Sequence, residues 1–119
     1  MITGAHTIIY ASDAEAARAF FREVLEFPYV DAGGGWLIFK SPPAEMAVHP
    51  TDPDTVGRAE LFLMCDDLAA TVADLTAKGV EFTAEITDQR WGLVTTLAVP
   101  GAGTVGLYQP KHDTAYDLD

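Results

Sequence analysis

Short apolar runs and polar corners follow one another along this chain in an order that occurs twice. From His6 to Tyr10 the run HTIIY is rich in β-branched residues and predicts a strand, which stops at Ala11-Ser12-Asp13. Ala16, Ala17, Phe20, Phe21, Val24 and Leu25 then recur at helical spacing and predict a helix with one wide apolar face. Ser12 and Glu15 form a capping-box pattern at its start, the hydroxyl accepting from a first-turn N–H while the carboxylate reaches back. The second copy runs from Glu60 to Phe82: an apolar run Leu61 to Cys65, an acidic corner Asp66-Asp67, a helix whose face is marked by Leu68, Val72 and Leu75, and a stop at Lys78-Gly79. The offset pairs Asp13 with Asp67, Ala16 with Ala70, Phe21 with Leu75 and His6 with Glu60.

After the first helix the pattern predicts strands at Phe27–Asp31 and Trp36–Phe39 joined by a turn at Gly33-Gly34-Gly35, and a further strand at Glu45–His49. If that last strand is regular, Glu45, Ala47 and His49 share a face. The proline-rich PTDPDTVG stretch reads as a linker. After the second helix, strands are predicted around Val80–Ile86, Leu93–Val99 and Thr104–Gln109, with a loop at Thr87–Gly92 and a turn at Pro100–Gly103. The polar tail from Lys111 is expected to be loosely held. The resulting organisation is one domain over 1–119, with module one at 1–50, a linker at 51–57, module two at 58–110 and the tail at 111–119.

With 119 residues, 49% of them hydrophobic, the chain can bury a core of its own. Its 7 Lys and Arg against 18 Asp and Glu leave a formal charge of −11, which repels phosphate backbones and anionic membrane surfaces, so neither nucleic acid nor membrane is an expected partner. The single cysteine, Cys65, allows no internal disulfide framework and reads as a buried, inert thiol. No leader-like segment and no apolar run of membrane length is evident, so the expected location is the cytoplasm.

Two βαβββ units in tandem resemble the vicinal oxygen chelate superfamily, which includes glyoxalase I, bleomycin-resistance proteins and extradiol dioxygenases. The resemblance runs from His6 to Pro110 and is carried by HTIIYASD, FFREVLEF, CDDL, AKGVEF, DQRWG and VPGAGTVGLYQP taken in order. It implies an α+β fold in which the two modules form a curved, cup-like mixed sheet with the helices outside, and it implies a homodimer. Metal-dependent members hold a divalent ion with side chains from the first and last strands of each unit. Carried to this chain, those positions are His6, Glu45, Glu60 and Gly106, the last of which has no donor.

A metal at His6, Glu45 and Glu60 would have a hard, oxygen-rich ligand set suited to Mn, Fe(II), Mg or Zn. Such an ion binds neighbouring substrate oxygens and stabilises an enolate-like anion, the chemistry of a lyase, isomerase or dioxygenase, with Glu60 or His49 as a candidate proton carrier. Each residue also has a plainer role. Glu60 can be a solvated strand end beside Arg58, Glu45 an exposed residue after Pro43, His6 a cap on the sheet, and His49 a surface residue next to Pro50. The alternative function is a metal-free cup that sequesters an aromatic antibiotic or metabolite. Tyr10, Phe62 and Tyr108 lie at even offsets from His6, Glu60 and Gly106, and with Met64, Arg90 and Trp91 they are the candidate ligand-binding residues. Arg90 would hold an anionic group by a bidentate bond, or pair with a nearby acid on the surface.

Overall fold

The computed structural model describes Met1 and residues 5–118. Residues 2–4 of the expected first module and Asp119 of the expected tail lie outside the described residues. The architecture is α+β. Helix α1 (Ala14–Ala19) continues as a π-helical turn over Phe20–Val24, a hairpin follows from β1 (Tyr29–Asp31) and β2 (Leu37–Phe39), and the second half gives β3 (Phe62–Met64), α2 (Leu68–Ala77), β4 (Thr87–Gln89), β5 (Gly92–Ala98) and β6 (Thr104–Pro110). Strands β1 and β2 pair antiparallel on their own, while a four-stranded mixed sheet runs β3-β6-β5-β4, with β3 parallel to β6.

The two acidic corners are built alike. Asp13 caps α1 by accepting from Ala16 N–H at 3.0 Å, and Asp67 caps α2 by accepting from Ala70 N–H at 3.0 Å, so the residues paired by the sequence offset make the same hydrogen bond. Ser12 is not the cap. Its hydroxyl donates instead to Gly101 O, which also accepts from Asp13 N–H, both at 3.1 Å. Gly101 has a φ of +74°, and a β-carbon there would stand 2.5 Å from Asp13 O, so only glycine lets the β5–β6 turn lie against the helix corner.

Burial follows the predicted helix faces. Ala17, Phe20 and Phe21 of the first helix and Leu68 and Leu75 of the second join Leu97, Val99, Val105 and Leu107 in one core. The sheet register sorts the other residues by face. Leu63 stands opposite Leu107 on the helix-facing side, whereas Phe62 opposite Gly106 and Met64 opposite Tyr108 fall on the far side. The first helix terminates through Glu26, whose φ of 59° is left-handed, and this reversal lets Phe27 N–H reach Phe21 O at 3.0 Å and sets the two rings 5.8 Å apart.

Several predicted strands differ. His6–Tyr10 and Glu45–His49 carry no ladder and are mostly exposed, with Tyr10 at 87% and Val48 at 90%. An extended apolar segment becomes a strand only when a neighbour supplies the complementary N–H and C=O groups, and the described chain offers these two none. The predicted Val80–Ile86 strand reduces to a bridge between Phe82 and Leu97, flanked by hydrogen bonds from Thr83 N–H to Thr96 O and from Ala98 N–H to Glu81 O. Conversely, the predicted loop at Thr87–Gly92 contains β4, because Thr87, Asp88 and Gln89 fold back on β5 around Arg90-Trp91. The root of the tail is tied to the sheet, since Lys111 N–H donates to Trp91 O at 2.9 Å and its ammonium pairs with Asp88.

Candidate functional site

The far side of the mixed sheet carries an aromatic cluster. Phe62 on β3, Tyr108 on β6 and Trp91 in the β4–β5 turn meet edge to face, with ring centroids 5.9 Å apart for Phe62 and Tyr108, 5.2 Å for Trp91 and Tyr108 and 6.2 Å for Phe62 and Trp91. Such pairs contribute roughly 0.5–1.5 kcal/mol each beyond their buried area. Tyr108 is buried, while Phe62 at 38% and Trp91 at 43% exposure keep faces open to an incoming molecule.

The cluster has a polar edge. Tyr108 OH donates to Glu45 Oε1 at 3.2 Å and lies 3.2 Å from His112 Nε2, whose ring sits 6.0 Å from the phenol ring. Glu45 Oε2 accepts from Ala115 N–H at 2.7 Å, and its side chain is 17% exposed. His112 Nδ1 is 2.8 Å from Asp113 O, and because a carbonyl only accepts, that nitrogen carries a proton. A neutral His112 therefore competes with Glu45 for the one phenolic hydrogen. A protonated His112 donates to the phenol oxygen instead and faces Glu45 Oε1 at 3.7 Å. Burial, then the neighbouring Glu45 carboxylate, push the Tyr108 phenol above its ordinary pKa, so it stays a donor. On β3's far end, burial, against a hydrogen bond from Thr71, raises the Cys65 thiol, which donates to Tyr108 O at 3.6 Å. That thiol is a poor nucleophile at neutral pH.

Of the expected ligand-binding residues, the structure brings together Phe62, Trp91 and Tyr108. Met64 lines an adjoining open cavity of about 590 Å³ with Cys65, Asp66, Gln109, Pro110 and Tyr116. Tyr10 and Arg90 are exposed, and neither makes an aromatic contact with the cluster. His6, His49 and Glu60 are exposed as well, and among the described residues no three His, Cys, Asp or Glu side chains converge as metal ligands. Glu45, the one half-buried member of the expected set, has both oxygens engaged by protein donors. The position implied for the fourth ligand is Gly106, and the Phe62 ring lies over it. As arranged in one chain, these residues do not fit a divalent metal site. His112 and the Ala115 amide, which complete the polar edge, were not among the candidates. The only signal for His112 was its place four residues beyond Tyr108.

The profile of the Glyoxalase/Bleomycin resistance protein/Dioxygenase superfamily matches residues 4–105. The chain belongs to that superfamily. A search of curated proteins finds no significant match. Among solved structures, the fold is similar to TnmS3, an antibiotic binding protein from Streptomyces sp. CB03234, with a TM-score of 0.63 and 22% identity over 93% of this chain and 99% of that one. It is also similar to lactoylglutathione lyase from Agrobacterium tumefaciens, with a TM-score of 0.63 and 19% identity over 90% and 92% of the two chains. A glyoxalase/bleomycin resistance protein, again from Streptomyces sp. CB03234, is 26% identical with a TM-score of 0.57 over 85% and 95%. Solved structures of this fold thus include both an antibiotic binding protein and a lyase. No helix among the described residues is long and apolar enough to cross a membrane.

Proposed function

We propose that this superfamily member binds a flat, largely apolar small molecule, an aromatic antibiotic or metabolite, against Phe62, Trp91 and Tyr108, with Glu45 reading a polar group at the ligand's edge. The observation that carries this reading is the meeting of three rings from separate parts of the chain on one face of the sheet, two of them partly open. Flat ligands gain most from such walls, and a carboxylate beside them supplies orientation. Thermal-shift screening against aromatic antibiotics and keto acids tests the proposal, because a ligand that binds only the folded chain must raise its melting temperature. The increase is expected to vanish in Trp91→Ala, and no shift across a broad panel overturns the reading.

The working unit in this proposal is a cytoplasmic homodimer in which the duplicated modules at 1–50 and 58–110 close the cup. Support comes from the unpaired segments around Ile8, Ile9 and Val48 and from the open apolar face of the hairpin at Val30 and Ile38, since extended apolar backbone of this kind seeks a partner. Light scattering showing a monomer at micromolar concentration refutes the dimer. The competing reading places Mn, Fe, Mg or Zn at His6, Glu45 and Glu60, and metal analysis of protein purified without chelator separates the two.

A further inference from the structure

The tail turns back on the site instead of leaving it. After β6 it is pinned at its root by Lys111, through Trp91 O and Asp88, then lays His112 along Tyr108 and brings Ala115 N–H onto Glu45 Oε2 at 2.7 Å. Its Tyr116 also walls the open cavity beside Met64. Glu45 itself stands on a segment that forms no ladder with the described residues, and both oxygens of its carboxylate are held by hydrogen bonds. One oxygen takes the phenol, which belongs to the sheet. The other takes a backbone N–H from the tail, and that second acceptor is where a ligand lying on the aromatic cluster would place its own donor.

We propose that residues 111–118 are a built-in competitor, a strap latched on Glu45 that any ligand taking Glu45 Oε2 must displace, and that the ligands able to displace it are planar aromatics bearing amine or other N–H donors on one edge. This rests on the ligand reading above for its second half, while the latch itself does not. A carboxylate in a strongly acidic chain favours a cationic donor over a neutral one, and the amide now on Oε2 marks the geometry that donor would copy. For such a ligand the apparent affinity is the intrinsic one multiplied by the fraction of molecules in which the strap is open.

The test uses the full chain and a matched pair of probes, proflavine and acridine, which share one ring system but differ in the two amino groups and the charge. Amide exchange followed by NMR should show Ala115 protected in the wild type and released in Glu45→Ala with no ligand present. Proflavine should release the Ala115 amide in proportion to occupancy. Ala115→Pro, which removes the N–H, should tighten proflavine about three- to tenfold and leave acridine unchanged. His112→Ala, which leaves the backbone alone, should shift proflavine in the same direction by less. An Ala115 amide that stays protected in Glu45→Ala overturns the latch, and one that stays protected under saturating proflavine overturns the competition. If proflavine binds neither the wild type nor Ala115→Pro, the ligand reading and the competition fall together, and the exchange measurement still decides the latch by itself.

Discussion

The Phe62 ring occupies the space that a side chain on Gly106 would need. The parallel register sets these two residues opposite each other, and a β-carbon built on Gly106 would lie within 2.9 Å of three carbons of the ring. The position that the family resemblance assigns to a metal ligand is therefore a seat for an aromatic side chain, and the site trades a charged donor for an apolar wall. Gly106→Ala should cost about 1–3 kcal/mol in chemical denaturation, the usual penalty of overpacking, and Gly106→Glu more. In Phe62→Ala the same Gly106→Ala change should cost far less, so a double-mutant cycle gives a coupling of about 1 kcal/mol or more. Full additivity of the two changes would show that the ring does not sit there.

The helix corners make a second test. Asp13→Ala and Asp67→Ala should each destabilise by about 1 kcal/mol, and the double variant by about the sum, because the two caps share no hydrogen-bond partner. Ser12→Ala should cost only a few tenths, since its exposed hydroxyl serves the turn at Gly101 rather than the helix. Equal costs at Ser12 and Asp13 would restore the capping box.

Local chemistry was legible in this sequence wherever one residue fixes its own surroundings. The offset that paired Asp13 with Asp67 found two equivalent caps, the buried faces of both helices followed from spacing, and even offsets put Phe62 and Tyr108 on one face of the sheet. What failed depended on partners far along the chain. HTIIY reads as a strand by propensity, yet a strand is a relation between two segments, and no propensity says whether the second is present. Glu45 could be picked out by resemblance, but not its capture by Ala115, 70 positions away in a tail whose polar composition suggested looseness. The strand at Thr87–Gln89 was missed for a related reason, since its exposed TDQ has no apolar alternation and exists through its pairing with β5.

Glu26 offers a gain in stability. Its left-handed backbone strains a residue with a β-carbon by about 1 kcal/mol, and its side chain is exposed. Glu26→Gly should therefore raise the unfolding free energy by about 0.5–1 kcal/mol, less whatever the more flexible unfolded chain takes back. A loss on this substitution would mean that the turn placing Phe27 against Phe21 is not left-handed.

The phenol of Tyr108 predicts how stability responds to alkali. Its pKa in the folded chain is raised above the ordinary value of 10.0, by burial first and then by the Glu45 carboxylate, so the unfolded chain loses this proton at lower pH than the folded one. Where the unfolded state binds fewer protons, stability falls as pH rises. The contribution is thus fully present below about pH 10 and is lost as pH climbs through the folded pKa. Unfolding free energies measured across that range should decline, and Tyr108→Phe should flatten the part of the decline due to this group while lowering stability at neutral pH, where Glu45 loses its donor. In Glu45→Gln the phenol keeps a neutral acceptor but loses the nearby charge, so its absorbance titration should move down toward the ordinary tyrosine range without returning fully, because burial, the larger cause, remains. An unchanged titration in Glu45→Gln would mean that the carboxylate and the phenol are not neighbours, and the polar edge of the site would go with them.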